Sequence, residues 1–168
     1  MGTAEQNAVL IEVLNGLLAQ WTAPDFTTAV AAREGVVLDP GALTLLTILN
    51  NSGPQRPSAL GERMVTGASN ISKITARLEQ AGLVGRSRDP LDSRASLVVL
   101  TEAGEQAGEA LRRSGNSLVD DLLEGWSAED RTDLVRLLAR FENETGRVSA
   151  ALRDAPNAAA FPPPADGD

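Results

Sequence analysis

The chain has 168 residues, with 23 acidic against 15 basic side chains, and contains no cysteine, histidine or tyrosine. Without cysteine there is no disulfide framework, thiol nucleophile or thiolate metal site, and without histidine there is no imidazole acid–base catalyst or histidine-held metal. Catalysis would be left to carboxylates, hydroxyls and the lone Lys73, so the sequence is read as that of a non-enzyme with no cofactor and no metal.

The first element runs from Ala4 to Trp21, where Val9, Leu10, Val13, Leu14, Leu17, Leu18 and Trp21 recur at helical spacing. No basic stretch followed by an apolar block precedes it, so no secretory signal is expected and the location is read as cytoplasmic. Asp25 is the expected cap of a short second helix through Phe26, Val30 and Ala31. Asp39-Pro40 is a stronger start signal, since the carboxylate accepts from exposed backbone N–H groups and Pro suits the first turn. The helix it opens carries Leu43, Leu46 and Leu49 and should stop near Asn50-Asn51-Ser52-Gly53-Pro54. Its apolar run, Ala42 to Leu49, falls far short of the ~20 residues a membrane span needs.

Pro57-Ser58 opens a short helix offering Leu60 and Met64, and Val65-Thr66-Gly67 reads as a tight turn. Beyond it, Ile71, Ile74 and Leu78 form one buried stripe of a helix over Ala68 to Ala81, which Gly82 ends in a left-handed conformation. The period then changes. Leu83 to Arg88 and Ser96 to Leu100 read as strands of a hairpin joined by Asp89-Pro90-Leu91-Asp92-Ser93. Thr101 caps a long helix with Ala103, Ala107, Leu111, Leu118 and Leu122 on one face, and Ser127 caps another with Leu134, Leu137, Leu138, Phe141 and Val148. Residues 154–168 are Ala/Pro/Asp-rich and are expected to be disordered.

The net charge of −8 argues at face value against a nucleic-acid partner, but it hides a segregation. Between Gln55 and Ala95 seven cations (Arg56, Arg63, Lys73, Arg77, Arg86, Arg88 and Arg94) face four acids, giving +3 and leaving −11 for the rest of the chain. On the helix over 68–81, the face opposite Ile71, Ile74 and Leu78 carries Ser69, Asn70, Ser72, Lys73, Ala76, Arg77 and Gln80, none of them acidic. Small residues let the helix approach base edges, Asn pairs with adenine, and Lys or Arg reaches guanine or phosphate. Helix, turn, helix and a hairpin with arginines at its tip describe a winged helix-turn-helix. The overall expectation is a mainly α fold with a small β-hairpin wing, flanked by N- and C-terminal dimerisation helices: 1–38, the reading domain 39–101, then 102–153.

The stretch Leu60-Gly61-Glu62-Arg63-Met64, then Ile71 to Leu78, Glu79, Gly82-Leu83-Val84 and Arg86, resembles the MarR family of transcriptional regulators. The hairpin sharpens the likeness, since Asp92-Ser93-Arg94, Leu97-Val98-Val99-Leu100-Thr101 and Gly104 are similar to that family's wing signature. The resemblance implies a homodimer binding an inverted-repeat operator in double-stranded DNA, and a repressor released by a small organic effector. Carried over by position, it implies Ser69, Asn70, Ser72, Lys73, Arg77, Arg88 and Arg94 as DNA-binding residues, with Arg94 in the minor groove and Asp92 orienting it. Arg86, on the first strand, is equally suited to pairing with an acid inside the domain. Trp21 and Phe26 lie at the junction where the family often binds an aromatic effector, and they are the candidate ligand-pocket residues. Gly67 stands where the family often has a capping Ser, so a weaker cap is expected there. Sensing through a thiol or through histidine-bound zinc is excluded by composition. The alternative reading of the same elements is a winged-helix protein-interaction module without DNA binding.

Overall fold

The structure is a computed structural model that describes residues 2–92 and 94–154. Seven helices and one hairpin follow in the order α1 (Thr3–Trp21), α2 (Pro24–Ala32), α3 (Pro40–Ser52), α4 (Pro57–Arg63), α5 (Ala68–Gln80), β1 (Val84–Arg88), β2 (Ser96–Leu100), α6 (Glu102–Leu122) and α7 (Ala128–Asp154). The chain divides after Leu122 into two units, the second holding α7. The tail expected to be disordered lies outside the described residues except for Asp154, which is the last residue of α7.

The start signals read from the sequence hold at three helices. Asp39 Oδ1 accepts from the Ala42 N–H at 3.2 Å, Thr101 Oγ1 from the Gly104 N–H at 3.1 Å, and Ser127 Oγ from the Asp130 N–H at 3.1 Å. Asp25 is a correction. The cap of α2 is Ala23, whose side chain makes no capping bond, because Pro24 already occupies the first helical position and puts Asp25 inside the first turn.

The core is built on α3, which buries Ala42, Leu43, Leu45, Leu46, Ile48 and Leu49, so it is enclosed well beyond the single stripe expected. Leu60 from α4, Ile71, Ile74 and Leu78 from α5, Val84 from β1 and Val98 from β2 close on it. The wing strands pair antiparallel from Val84 with Leu100 to Arg88 with Ser96. Gln55 adds a bridge the sequence does not announce, exchanging backbone bonds with Val98 at 3.1 and 2.8 Å.

On α6 the buried residues are Gly104, Gly108, Ala110 and Ser114, whereas Ala103 and Leu122 are exposed. Of the expected face, Ala107, Leu111 and Leu118 are half-buried and Ala107 and Leu111 pack against the core, while the fully buried positions form a seam of small residues beside them. Their size sets the packing: a Cβ on Gly108 would overlap the Asn50 side chain of α3, and one on Gly104 would overlap the Leu83 carbonyl oxygen.

The turn between α4 and α5 is a Schellman motif, in which the Thr66 N–H donates to Gly61 O at 3.0 Å and the Val65 N–H to Glu62 O at 3.3 Å. Its left-handed position, φ 49°, holds Val65. The same motif closes α5 through Gly82 at φ 72°. A β-branched residue is disfavoured there, because its Cβ crowds the backbone. Val65→Gly is expected to raise stability by about 1 kcal/mol and the thermal midpoint by about 2–4 °C, read by thermal unfolding.

Candidate nucleic-acid interface

The outward face of α5 follows from its pattern. With Ile71, Ile74 and Leu78 turned into the core, together with Thr75, residues Ala68, Ser69, Asn70, Ser72, Lys73, Ala76, Arg77 and Gln80 are exposed. This face carries no carboxylate; Glu79 sits at its flank and is half-buried. At the N-terminus of α5, Gly67 supplies no side-chain cap, as its identity leads one to expect.

Two of the expected contact residues are already engaged. Asn70 Nδ2 donates to Thr66 Oγ1 at 3.0 Å, which ties it to the turn before α5. The Arg77 guanidinium pairs with Asp39 at 2.9 Å, so the residue that caps α3 also balances this charge. Arg77 thus departs from the other cations of the expected set: it locks α5 against the start of α3 and does not offer a free charge. Lys73, Arg88 and Arg94 are exposed and have no carboxylate partner among the described residues. Arg86 pairs with Glu79 at 2.9 Å, a contact inside the domain.

The wing tip is shaped by two aspartates in different ways. Asp92, the residue expected to hold Arg94 in position, accepts from the Arg94 backbone N–H on its Oδ1 at 3.0 Å and so shapes the loop that carries Arg94. Asp89 was not singled out from the sequence, yet it is the buried carboxylate of the wing, 7% exposed. Its Oδ1 accepts from the Leu91 N–H at 2.8 Å and its Oδ2 from Arg56 Nε at 2.6 Å. Arg56 stands at the start of α4, so this pair ties the wing to the helix-turn-helix.

The backbone bond from Leu91, and then the bond from Arg56, hold the Asp89 carboxyl below its ordinary value. A lowered carboxylate pKa contributes stability above the unfolded value and loses it as pH falls through the folded one. This contact is therefore intact at neutral pH and fails only below about pH 4. Asp89→Asn is expected to flatten the acid limb of the stability curve, measured as denaturation midpoint against pH between 2 and 6.

Comparison with known proteins matches this geometry. The MarR family profile matches residues 38–96, from just before α3 to the first residue of β2. Two Bacillus subtilis proteins, the HTH-type transcriptional regulators YdgJ and YxaD, are each 31% identical, over 64% and 61% of this chain and 66% and 72% of their own lengths. The chain belongs to the MarR family. A solved MarR family protein from Bacillus stearothermophilus shares the fold, with a TM-score of 0.72 at 21% identity over 87% of this chain and 99% of that one. As a MarR protein the chain is a transcriptional regulator of the DNA-binding, winged-helix type, and not an enzyme.

This MarR chain also has a cavity of about 400 Å³ between α1, α2, α3 and α6. Both aromatic residues expected there, Trp21 and Phe26, are on its wall. Val30, Leu43, Ile48, Leu111 and Leu118 also line it, and the size falls in the range of small-molecule sites. Ser114 is also on the wall and has no counterpart among the residues read from the sequence.

Proposed function

We propose that this MarR protein is a homodimeric repressor that binds an inverted-repeat operator and is released from it by a small organic ligand, in the cytoplasm. The observation that carries the DNA-binding part is the set of unpaired cations Lys73, Arg88 and Arg94 on an α5 face without acid and on the adjoining wing. In this reading α5 enters the major groove, where Ser69, Asn70, Ser72 and Lys73 meet base edges and phosphates, while Arg94 on the wing reaches the minor groove.

Support for a homodimer comes from the terminal helices. Among the described residues, α1 and α7 bury nothing within one chain. Val9, Leu10, Val13, Leu17 and Trp21 of α1, and Leu137, Leu138, Phe141 and Val148 of α7, remain exposed. Apolar surface of that extent is what a second copy covers. Among the described residues no helix is long and apolar enough to cross a membrane. Two copies of α5 on one face of a duplex must sit about one turn, ~34 Å, apart. A ligand that changes this spacing would disengage both at once.

The test is selection of genomic fragments bound by the purified protein, which should enrich an inverted repeat. Asn70→Ala, which removes a bidentate partner for adenine, should change base preference at one position in each half-site by about 1–3 kcal/mol. The Asn70 amide has two N–H donors, so it can meet a base while bonded to Thr66, and Thr66→Val should spare the preference. A binding profile unchanged by Asn70→Ala would exclude this residue from base reading.

A further inference from the structure

We propose that Leu91, at the tip of the wing, is an apolar minor-groove contact through which the protein prefers A·T over G·C pairs beside each half-site of its operator. The inference deepens the proposed docking of the wing and rests on that reading. What it adds is a reader that carries no charge.

The loop from Asp89 to Arg94 gives Leu91 nothing to pack against. Its side chain is 92% exposed, and Pro90 before it is exposed as well. A lone leucine on a protein surface calls for no explanation, but this one is held out by a braced loop. The Leu91 N–H donates to Asp89 Oδ1 at 2.8 Å, and Asp89 Oδ2 accepts from Arg56 Nε at 2.6 Å. Farther along, the Arg94 N–H donates to Asp92 Oδ1 at 3.0 Å and the Ala95 N–H to Asp92 O at 2.9 Å. A bond from the Asp89 N–H to Ala95 O at 3.2 Å closes the loop. Braced in this way, the tip loses little conformational freedom when it meets a partner.

The charges around Leu91 identify that partner. Arg88, in the last pair of the ladder with Ser96, and Arg94 bracket it in the chain, both exposed and without a carboxylate partner among the described residues. Of the two acids in the loop, Asp89 is buried against Arg56, and Asp92 gives its Oδ1 to the Arg94 backbone. An apolar tip between two cations fits a groove walled by phosphates. The cations alone would hold any sequence, because the phosphates repeat at every step. The floor of the minor groove does differ: A·T and T·A pairs present only acceptors there, whereas G·C adds the guanine amino group. Leu91 has no atom that accepts from that amino group, and covering it would bury an unbonded donor. At an A·T pair that bulk is missing, and the acceptors can be met by the neighbouring Arg94 guanidinium.

The test replaces the base pairs beside each half-site of the inverted repeat recovered by genomic selection, one at a time, with A·T, G·C or inosine·C. Inosine is guanine without the amino group. Affinity of the full chain is read by fluorescence anisotropy. Under the wing, the native protein should bind A·T and inosine·C alike and G·C about tenfold more weakly. Leu91→Ala should remove that difference while leaving the thermal midpoint and the salt dependence unchanged, since an exposed side chain without charge is lost. Leu91→Met, which keeps an apolar chain of similar volume, should retain it. The proposal is overturned if inosine·C binds as weakly as G·C, if no neighbouring pair discriminates, or if Leu91→Ala keeps the penalty against G·C. Arg94→Ala on the same duplexes separates this from the docking itself. Weakened binding by Arg94→Ala with an unaltered preference in Leu91→Ala would leave the wing on the duplex and remove Leu91 from reading. Native affinity and preference in both variants would take the wing off the duplex and overturn both.

Discussion

Lys73→Ala, Arg88→Ala and Arg94→Ala combined are expected to lower affinity for the operator about a thousandfold or more at moderate salt, with the fold intact. Each cation that neutralises a phosphate releases a counterion, and two subunits lose six such contacts together. Because the three side chains are exposed and bond to no carboxylate among the described residues, their removal should move stability by no more than about 0.5 kcal/mol. Arg77→Ala provides the contrast. Its charge is balanced by Asp39 at 2.9 Å, so its loss should perturb the α3–α5 contact with a smaller change in salt dependence. Fluorescence anisotropy of a labelled duplex across a salt series separates the two. Full affinity in the triple variant would remove α5 and the wing from the interface.

Gly104→Ala is expected to destabilise the protein by about 3 kcal/mol, since overpacking against backbone cannot be relieved by a rotamer change. The new methyl group would overlap the Leu83 carbonyl oxygen and approach the Leu100 side chain at 3.2 Å. That same oxygen accepts the Thr101 N–H at 3.1 Å, so the helix start and the first wing strand would both have to move. The thermal midpoint should fall by about 10 °C for a chain of this size. Gly115→Ala is the control on the same helix: its added Cβ meets nothing within 4 Å, so replacing glycine inside a helix should raise stability by about 0.5–1 kcal/mol. Equal effects at the two positions would show that the close seam between α6 and the wing is not as described.

What could be read from the sequence, and what could not, divides along physical lines. The helix-turn-helix and wing were legible because their signals are local: a 3.6-residue stripe at Ile71, Ile74 and Leu78, a short extended apolar run from Leu97 to Leu100 after a polar turn, and caps at Asp39, Thr101 and Ser127. The seam of Gly104, Gly108, Ala110 and Ser114 was not, because small residues give no apolar signal and their closeness to α3 and Leu83 is a tertiary fact. Nor were the ion pairs of Arg77 with Asp39 and Arg56 with Asp89, which join residues more than thirty positions apart. Those pairs alter the functional reading. They withdraw Arg77 from the free cations and assign the anchoring of the wing to Asp89, while Asp92 shapes the loop through a backbone bond. Trp21 and Phe26 were placed by resemblance alone, and Ser114 joined the cavity wall only once α6 was set against α2 and α3.

The acid excess of the chain, −8 overall, is compatible with a duplex partner because cations are concentrated in the helix-turn-helix and wing, where Lys73, Arg88 and Arg94 have no carboxylate partner among the described residues. Acid elsewhere suppresses non-specific adhesion and leaves binding dependent on those placed charges. The most direct measurement is therefore the salt dependence of affinity for the inverted repeat recovered from genomic selection. With about eight phosphate contacts per dimer, the slope of log affinity against log salt should be about −7 for the native protein, falling to about −2 in the triple variant. No enriched fragment at low salt, or an affinity that does not change with salt, would contradict the account.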